Sequence, residues 1–197
     1  MPALQPGEGH GRSVDRVRAE RAAADLLDAL GVDLTGEDVA DTPKRLARMY
    51  EELTTPLPFN PTTFANDAGY DEMVVVRDIR FTSLCAHHLL PFSGIAHVGY
   101  LPGERIVGLS KLARVVAHFA RNLQVQERLT KQVADWIAEE LKPRGVGVVL
   151  RAEHQCMTIR GVQAAGSTTV TSTMHGLLRT NPASREEFLA LCGEKGR

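Results

Sequence analysis

The sequence predicts an α+β fold built on an antiparallel sheet. Apolar residues recur at helical spacing up to about residue 53, then give way to short β-branched and alternating runs from Met73 onward. Those runs come in pairs, and two amphipathic helical segments separate the first pair from the second. Gly- and Pro-containing breaks, such as Pro102-Gly103 and Lys142 to Gly145, punctuate the pattern where turns are needed.

Residues 1–13 carry two Pro and three Gly with few apolar anchors and are expected to form a flexible tail. A helical pattern starts at Val14, places Leu26, Leu27 and Leu30 on its apolar side, and meets Gly31 just past its end. In the next helix Thr42 is the expected cap and Pro43 suits the first helical position. Leu46, Met49, Tyr50 and Leu53 share its apolar spacing, and Arg45 and Arg48 share another face. Residues 54–70 read as a long loop, closing an N-terminal helical segment over 14–70 and leaving 71–197 as the main domain.

Strands are predicted over Met73–Phe81, Ser93–Leu101, Val146–Cys156 and Gly166–His175. Leu112, Val115, Val116, Phe119 and Leu123 mark one intervening helix, with Ser110 as its expected cap. Leu129, Val133, Trp136, Ile137 and Leu141 mark the other. Ser184 and Glu187 form a candidate capping box for a short closing helix.

At 197 residues the chain fits one domain with at most a small appendage, and it needs no disulfide staples. Lys plus Arg number 23 against 24 Asp plus Glu, which argues against bulk electrostatic binding of nucleic acid. No apolar run reaches membrane-spanning length, and the first residues lack the apolar core of a signal peptide. Cytoplasm is the expected compartment. The three cysteines, Cys85, Cys156 and Cys192, are odd in number and far apart, which favours free thiols or a metal site.

The densest chemistry lies in residues 83–92, where Cys85, His87 and His88 fall within four positions. Thiolate plus imidazole is zinc chemistry. On a strand Cys85 and His88 would point to opposite faces, whereas in a tight turn residues three apart converge on one ion. His87 is then left beside the metal, free to move protons. On this segment alone, a buried cysteine beside two loop histidines accounts for the pattern equally well. A second segment shifts that balance. Val146, Val148, Leu150, Ala152, His154 and Cys156 share one parity, so a buried face would end in His154 and Cys156. Cys85, His88 and Cys156 supply three ligands, and three protein ligands with an open fourth position describe a catalytic zinc. His87 and His154 are candidate general acid–base groups.

Lys111 and Arg114 lie near a helix N-terminus suited to anions. Taken singly they read as a solvated face. Together with Arg45, Arg48 and Arg160 they suffice for a polyphosphate if the fold gathers them. Gln126 and Glu127 read either as ordinary helix-start polarity or as a carboxylate site for guanine, and the residues alone leave both open.

Six stretches, DTPKRLARMY (41–50), SLCAHHLLPF (83–92), GLSK (108–111), QVQERLT (124–130), EHQCMTIRG (153–161) and SREEFL (184–189), resemble GTP cyclohydrolase I in content, order and spacing. The resemblance covers nearly all of residues 14–191. It implies the tunnelling fold: an antiparallel four-stranded sheet with helices on one side, preceded by an N-terminal helical segment. It implies zinc-dependent conversion of GTP and water to formate and 7,8-dihydroneopterin triphosphate, the first step toward folates and pterins. It also implies a homodecamer with active sites at subunit interfaces. Carried over by motif, Cys85, His88 and Cys156 fall on the zinc ligands. His87 and His154 fall on the proton-moving histidines. Ser110 and Gln126 fall on residues lining the purine and ribose, and Glu127 on the guanine-recognising carboxylate. Arg45, Arg48, Lys111, Arg114 and Arg160 fall around the triphosphate, with Arg45 and Arg48 expected from a neighbouring subunit. One departure stands out: the family's Cys-Glu-His-His is here Cys85-Ala86-His87-His88. The alternatives it raises are a specialised paralogue with an altered product and a catalytically silent GTP-binding regulatory protein.

Overall fold

The computed structural model describes residues 14–193. The expected tail over 1–13 lies outside the described residues, as do 194–197. Two helices come first, α1 (Arg16–Ala29) and α2 (Thr42–Thr54), packed on each other. The rest follows as β1 (Thr63–Ala65), β2 (Val74–Cys85), β3 (Pro91–Leu101), β4 (Arg105–Val107), α3 (Leu109–Ala120), β5 (Leu123–Gln124) and α4 (Gln126–Leu141). Then come β6 (Gly145–His154), the single turn α5 (Gln155–Thr158), β7 (Thr169–Gly176), α6 (Leu177–Thr180) and α7 (Pro182–Leu191).

The main sheet has the order β5-β2-β3-β6-β7. Its four long strands β2, β3, β6 and β7 are antiparallel neighbours, and β5 adds a two-residue parallel pairing at Leu84 and Cys85. This is the predicted α+β architecture, a four-stranded antiparallel sheet preceded by a helical segment. The amphipathic helices α3 and α4 cover one face. Leu112, Val115, Val116, Leu129, Val133 and Ile137 meet Val146, Val148 and Leu150 there, all with no measurable exposure. Each such side chain withdrawn from water contributes about 1.5–3 kcal/mol.

Val149 points the other way and joins Leu101, Leu178, Phe188 and Cys192 in a smaller cluster under α6 and α7. Gly99 and Gly147 are register partners on β3 and β6. A Cβ at Gly99 would lie 2.8 Å from Phe188 Cε2, and one at Gly147 would lie 2.6 Å from Phe188 Cε1. The two glycines thus form the slot that the Phe188 ring fills.

Several local expectations are corrected. The helix expected to be capped by Ser110 instead starts at Leu109 with Gly108 as its cap, so Ser110 lies inside the first turn. The β1–β4 ribbon runs up to Val107, and Gly108 N–H donates to Thr62 O (3.1 Å), so the helix begins as soon as the ribbon ends. Residues 54–70, read as loop, contain β1, too short for a periodic signal. Asp41 rather than Thr42 precedes α2. Asn181 rather than Ser184 caps α7: Pro182 fits the first helical position, and the Asn181 side chain accepts from Ala183 N and Ser184 N. The last predicted strand residues also change state. β6 stops at His154, and Cys156 sits in α5.

Replacing Phe188 by Ala empties its glycine-lined slot. The expected cost is about 3–5 kcal/mol, read as a lower denaturation midpoint. Zinc content should stay unchanged, because the slot lies on the sheet face opposite α3 and α4.

Candidate active site

The ends of β2 and β6 meet through β3. Leu84 is in register with Pro91, and Phe92 with His154. Past Cys85 the chain turns sharply. Leu89 N–H donates to Cys85 O (2.9 Å), and Cys85 N–H donates to Leu90 O (2.9 Å). Leu89 adopts the left-handed region at φ 55°, an unusual choice for a residue with a branched side chain. Two neighbours hold the turn. Ala86 N–H donates to Gln124 O (2.9 Å), and Tyr50 Oη of α2 donates to Leu89 O (3.3 Å). At the base of β2, Ser83 Oγ donates to Ala120 O (2.6 Å), pinning the C-terminal end of α3 beside the turn.

The turn brings Cys85 Sγ to 3.8 Å from His88 Nδ1, and α5 brings Cys156 Sγ to 3.8 Å from Cys85 Sγ. The donor atoms of Cys85, His88 and Cys156 all lie within 4.8 Å of one another. A tetrahedral ion with Zn–S near 2.3 Å and Zn–N near 2.0–2.1 Å separates two sulfurs by about 3.8 Å and a sulfur from a nitrogen by about 3.6 Å. Cys85 thus keeps zinc-like spacing to both His88 and Cys156, and the three donors are of the type zinc takes. Burial and the adjacent Cys85 push the Cys156 thiol above its ordinary range, while Arg160 opposes them. Two neighbouring buried thiols ionise together only with a cation between them.

His87 Nδ1 also lies 3.8 Å from Cys85 Sγ, so the second histidine of the turn sits at the edge of the cluster. His154 is partly buried, stacked on Phe92 at 4.5 Å between ring centroids and 2° between planes. Its Nε2 lies 2.8 Å from Gln126 Oε1. Burial holds its pKa below the usual imidazole value, and Glu127 pulls the other way. Glu127, next to Gln126, is exposed at the start of α4. Arg160 Nη1 donates to Cys156 O (3.1 Å).

One chain thus gathers Cys85, His87, His88, Gln126, Glu127, His154, Cys156 and Arg160. The other sequence-predicted residues lie elsewhere in this chain. Ser110 and Lys111 are in the first turn of α3, about 15 Å along the helix axis from Ala120, the end that abuts the metal turn. Arg114 lies one turn further in and is exposed. Arg45 contacts Asp41 Oδ2 (3.7 Å) and Asp38 O (3.4 Å), and Arg48 lines a cavity with Arg16, Glu51 and Glu52. Ala86 is exposed within the turn. Sequence reasoning did not single out Phe92, which orients His154, or Gln124, which braces the turn. Phe92 lies inside the SLCAHHLLPF stretch, and only the β3–β6 register reveals its partner.

The family model for GTP cyclohydrolase I matches residues 19–193. The chain belongs to the GTP cyclohydrolase I family. It is 50% identical over 195 residues to GTP cyclohydrolase 1 of Streptomyces avermitilis, covering 96% of both chains. It is 48% identical to that of Aquifex aeolicus, covering 91% of this chain and 97% of the relative. It is 50% identical to that of Carboxydothermus hydrogenoformans, covering 92% and 97%. A solved archaeosine synthase QueF-Like structure overlays with a TM-score of 0.45 at 15% identity, over 53% of this chain and 93% of that one, too remote to bear on the site. No helix among the described residues is long and apolar enough to cross a membrane.

Cys156→Ala removes one of the two sulfur ligands. Metal analysis of the purified variant should give less than about a tenth of the wild-type zinc, since a catalytic site rests on three protein ligands. Zinc retained at full stoichiometry would overturn the ligand assignment.

Proposed function

We infer that this member of the GTP cyclohydrolase I family hydrolyses GTP to formate and 7,8-dihydroneopterin triphosphate at the cluster formed by Cys85, His87, His88, His154 and Cys156. The observation that carries this is the 3.8 Å approach of Cys85 and Cys156 beside two further imidazoles. Cys85, His88 and Cys156 hold zinc, which supplies Lewis acidity and acidifies water at neutral pH.

The chain's own groups do the rest. Purine C8 is weakly electrophilic until N7 is protonated, and His154 is placed to deliver that proton. His87 exchanges protons at the edge of the metal turn as the imidazole ring of the purine opens and formate leaves. Ser110 and the histidines assist the later rearrangement and reclosure of the ribose. Glu127 accepts from the N1–H and amino group of guanine. Adenine lacks that donor pair, so the same carboxylate would be left unmatched. Arg160, Lys111, Arg114, Arg45 and Arg48 receive the triphosphate.

These groups reach one nucleotide only in an oligomer. The length of α3 separates Ser110 and Lys111 from the metal turn of their own chain, which supports their delivery by a neighbouring subunit, as for Arg45 and Arg48. Exposed Ile159 and Val162, just beyond Cys156, supply apolar surface for such contacts. We take the assembly to be a decamer with interfacial sites, acting in the cytoplasm. Intact His87, His154 and Ser110 favour a working enzyme over a silent GTP-binding protein, despite Ala86.

Incubation with GTP followed by oxidation should yield fluorescent pterin and formate in equal amounts. Formate without pterin would indicate an altered product, and neither would indicate a silent binder. His154→Ala should keep its zinc and lose about 10²- to 10⁴-fold in turnover. Two inactive variants, His154→Ala and Lys111→Ala, should restore activity when unfolded together and reassembled, to about a quarter of wild type for random mixing in a symmetric ring. No recovery, with mixed assembly verified, would place both residues in one chain's site.

A further inference from the structure

We propose that Gln126 acts on His154 and not on the nucleotide: its amide fixes the hydrogen of the neutral His154 ring on Nε2 and leaves the lone pair on Nδ1. The proposal rests on the reading of His154 as a site residue and adds to it which tautomer the fold imposes.

Hydrogen-bond directions around Gln126 form a closed chain of constraints. Its Nε2 lies 3.2 Å from Leu150 O and 3.0 Å from Thr169 O. Carbonyl oxygens only accept, so the end of the amide facing them must be the NH2 group. Turning the amide over would set its oxygen against both carbonyls in a buried place, at the cost of unsatisfied acceptors on each side. The oxygen therefore faces His154 Nε2 at 2.8 Å. An amide oxygen has no hydrogen to give, so the hydrogen in that contact sits on Nε2. A neutral imidazole carries one such hydrogen, which leaves the lone pair on Nδ1.

The hydroxyls nearby allow no escape. Thr130 Oγ1 donates to Gln126 O (2.7 Å), so it can only accept from Thr171 Oγ1 at 2.6 Å. With its own hydrogen committed, Thr171 Oγ1 accepts from Gln126 Nε2 (3.1 Å). The imidazole plane is held by the Phe92 stack, and a flipped ring would present carbon to Gln126 Oε1. Gln126 itself is 1% exposed, with both ends of its amide engaged. It is a positioning residue that sets the tautomer and the orientation of the ring.

The zinc-loaded, deuterium-exchanged enzyme tests this by neutron crystallography near pH 8.5, about two units above the ordinary imidazole range. The expected map shows a deuteron on His154 Nε2, none on Nδ1, and both Gln126 amide deuterons pointing away from the ring. A deuteron on Nδ1, with or without one on Nε2, overturns the proposal. Kinetics supply a second reading. Gln126→Met should lower kcat by at least about tenfold with KM for GTP within about twofold, because a misassigned tautomer at a proton-moving histidine costs up to about 10⁴ in turnover. A raised KM with kcat preserved would make Gln126 a substrate contact and overturn the proposal. The neutron result stands apart from the role of His154, since His154→Ala with full turnover would overturn that role while leaving the deuteron position unchanged.

Discussion

Two sulfurs 3.8 Å apart, from residues 71 positions apart in sequence, set the demand that the rest of the molecule meets. Cys85 ends β2 and Cys156 lies in the turn α5 that directly follows β6, so their distance depends on the registers of β2 with β3 and of β3 with β6. A one-residue slip in either pairing would reverse the facing of every side chain on the shifted strand and separate the ligands. The buried face under α3 and α4 makes such a slip costly, because Val146, Val148 and Leu150 would exchange a packed helix surface for the opposite side. On that opposite side the Phe188 ring fills the space left by Gly99 and Gly147. Packing on both faces thus locks the sheet, and the locked sheet fixes the metal geometry.

The same logic underlies the proposed division of the site. Ser83 ties the C-terminal end of α3 to the metal turn, and the N-terminal end follows the β1–β4 ribbon, whose Val107 N–H donates to Tyr100 Oη (3.2 Å) at the other end of β3. A helix is a rigid spacer, so Ser110 and Lys111 are held away from Cys85 by construction. In the proposed assembly, residues that recognise one nucleotide come from more than one chain, and the cations that balance against acidic residues in the composition are gathered there. A net charge of −1 is compatible with a strongly cationic triphosphate site for this reason.

Much of the architecture was legible in the residues. The change of period near residue 73 marked where the helices end and the sheet begins, and the parity of Val146 to Ala152 identified the face that meets α3 and α4. Short elements were not legible. β1, β5 and α6 are too brief to carry a period, and they exist because tertiary partners hold them. Parity also failed at Cys156. The chain leaves β6 after His154 and coils once, so the thiol reaches the metal from a helical turn. The convergence of Cys85, His88 and Cys156 was legible from residue type and spacing. The hydrogen bonding of Gln126 was not: its polarity reads as ordinary helix-start polarity, a place lining the purine and ribose comes only from the resemblance, and the positions of Leu150 O and Thr169 O alone show that its amide nitrogen is engaged inside the fold. Ala86 also needed the structure, which puts it on the exposed side of the turn, where its side chain braces nothing and its N–H does.

The coordination of the metal is what the sheet, the turn and α5 together determine. X-ray absorption at the zinc edge of the purified enzyme measures it directly. The geometry of Cys85, His88 and Cys156 predicts two sulfur neighbours at about 2.3 Å and two nitrogen or oxygen neighbours at about 2.0–2.1 Å, the second of these being solvent in the open position. Four sulfurs, a single sulfur, or a shell made of nitrogen and oxygen alone would contradict it.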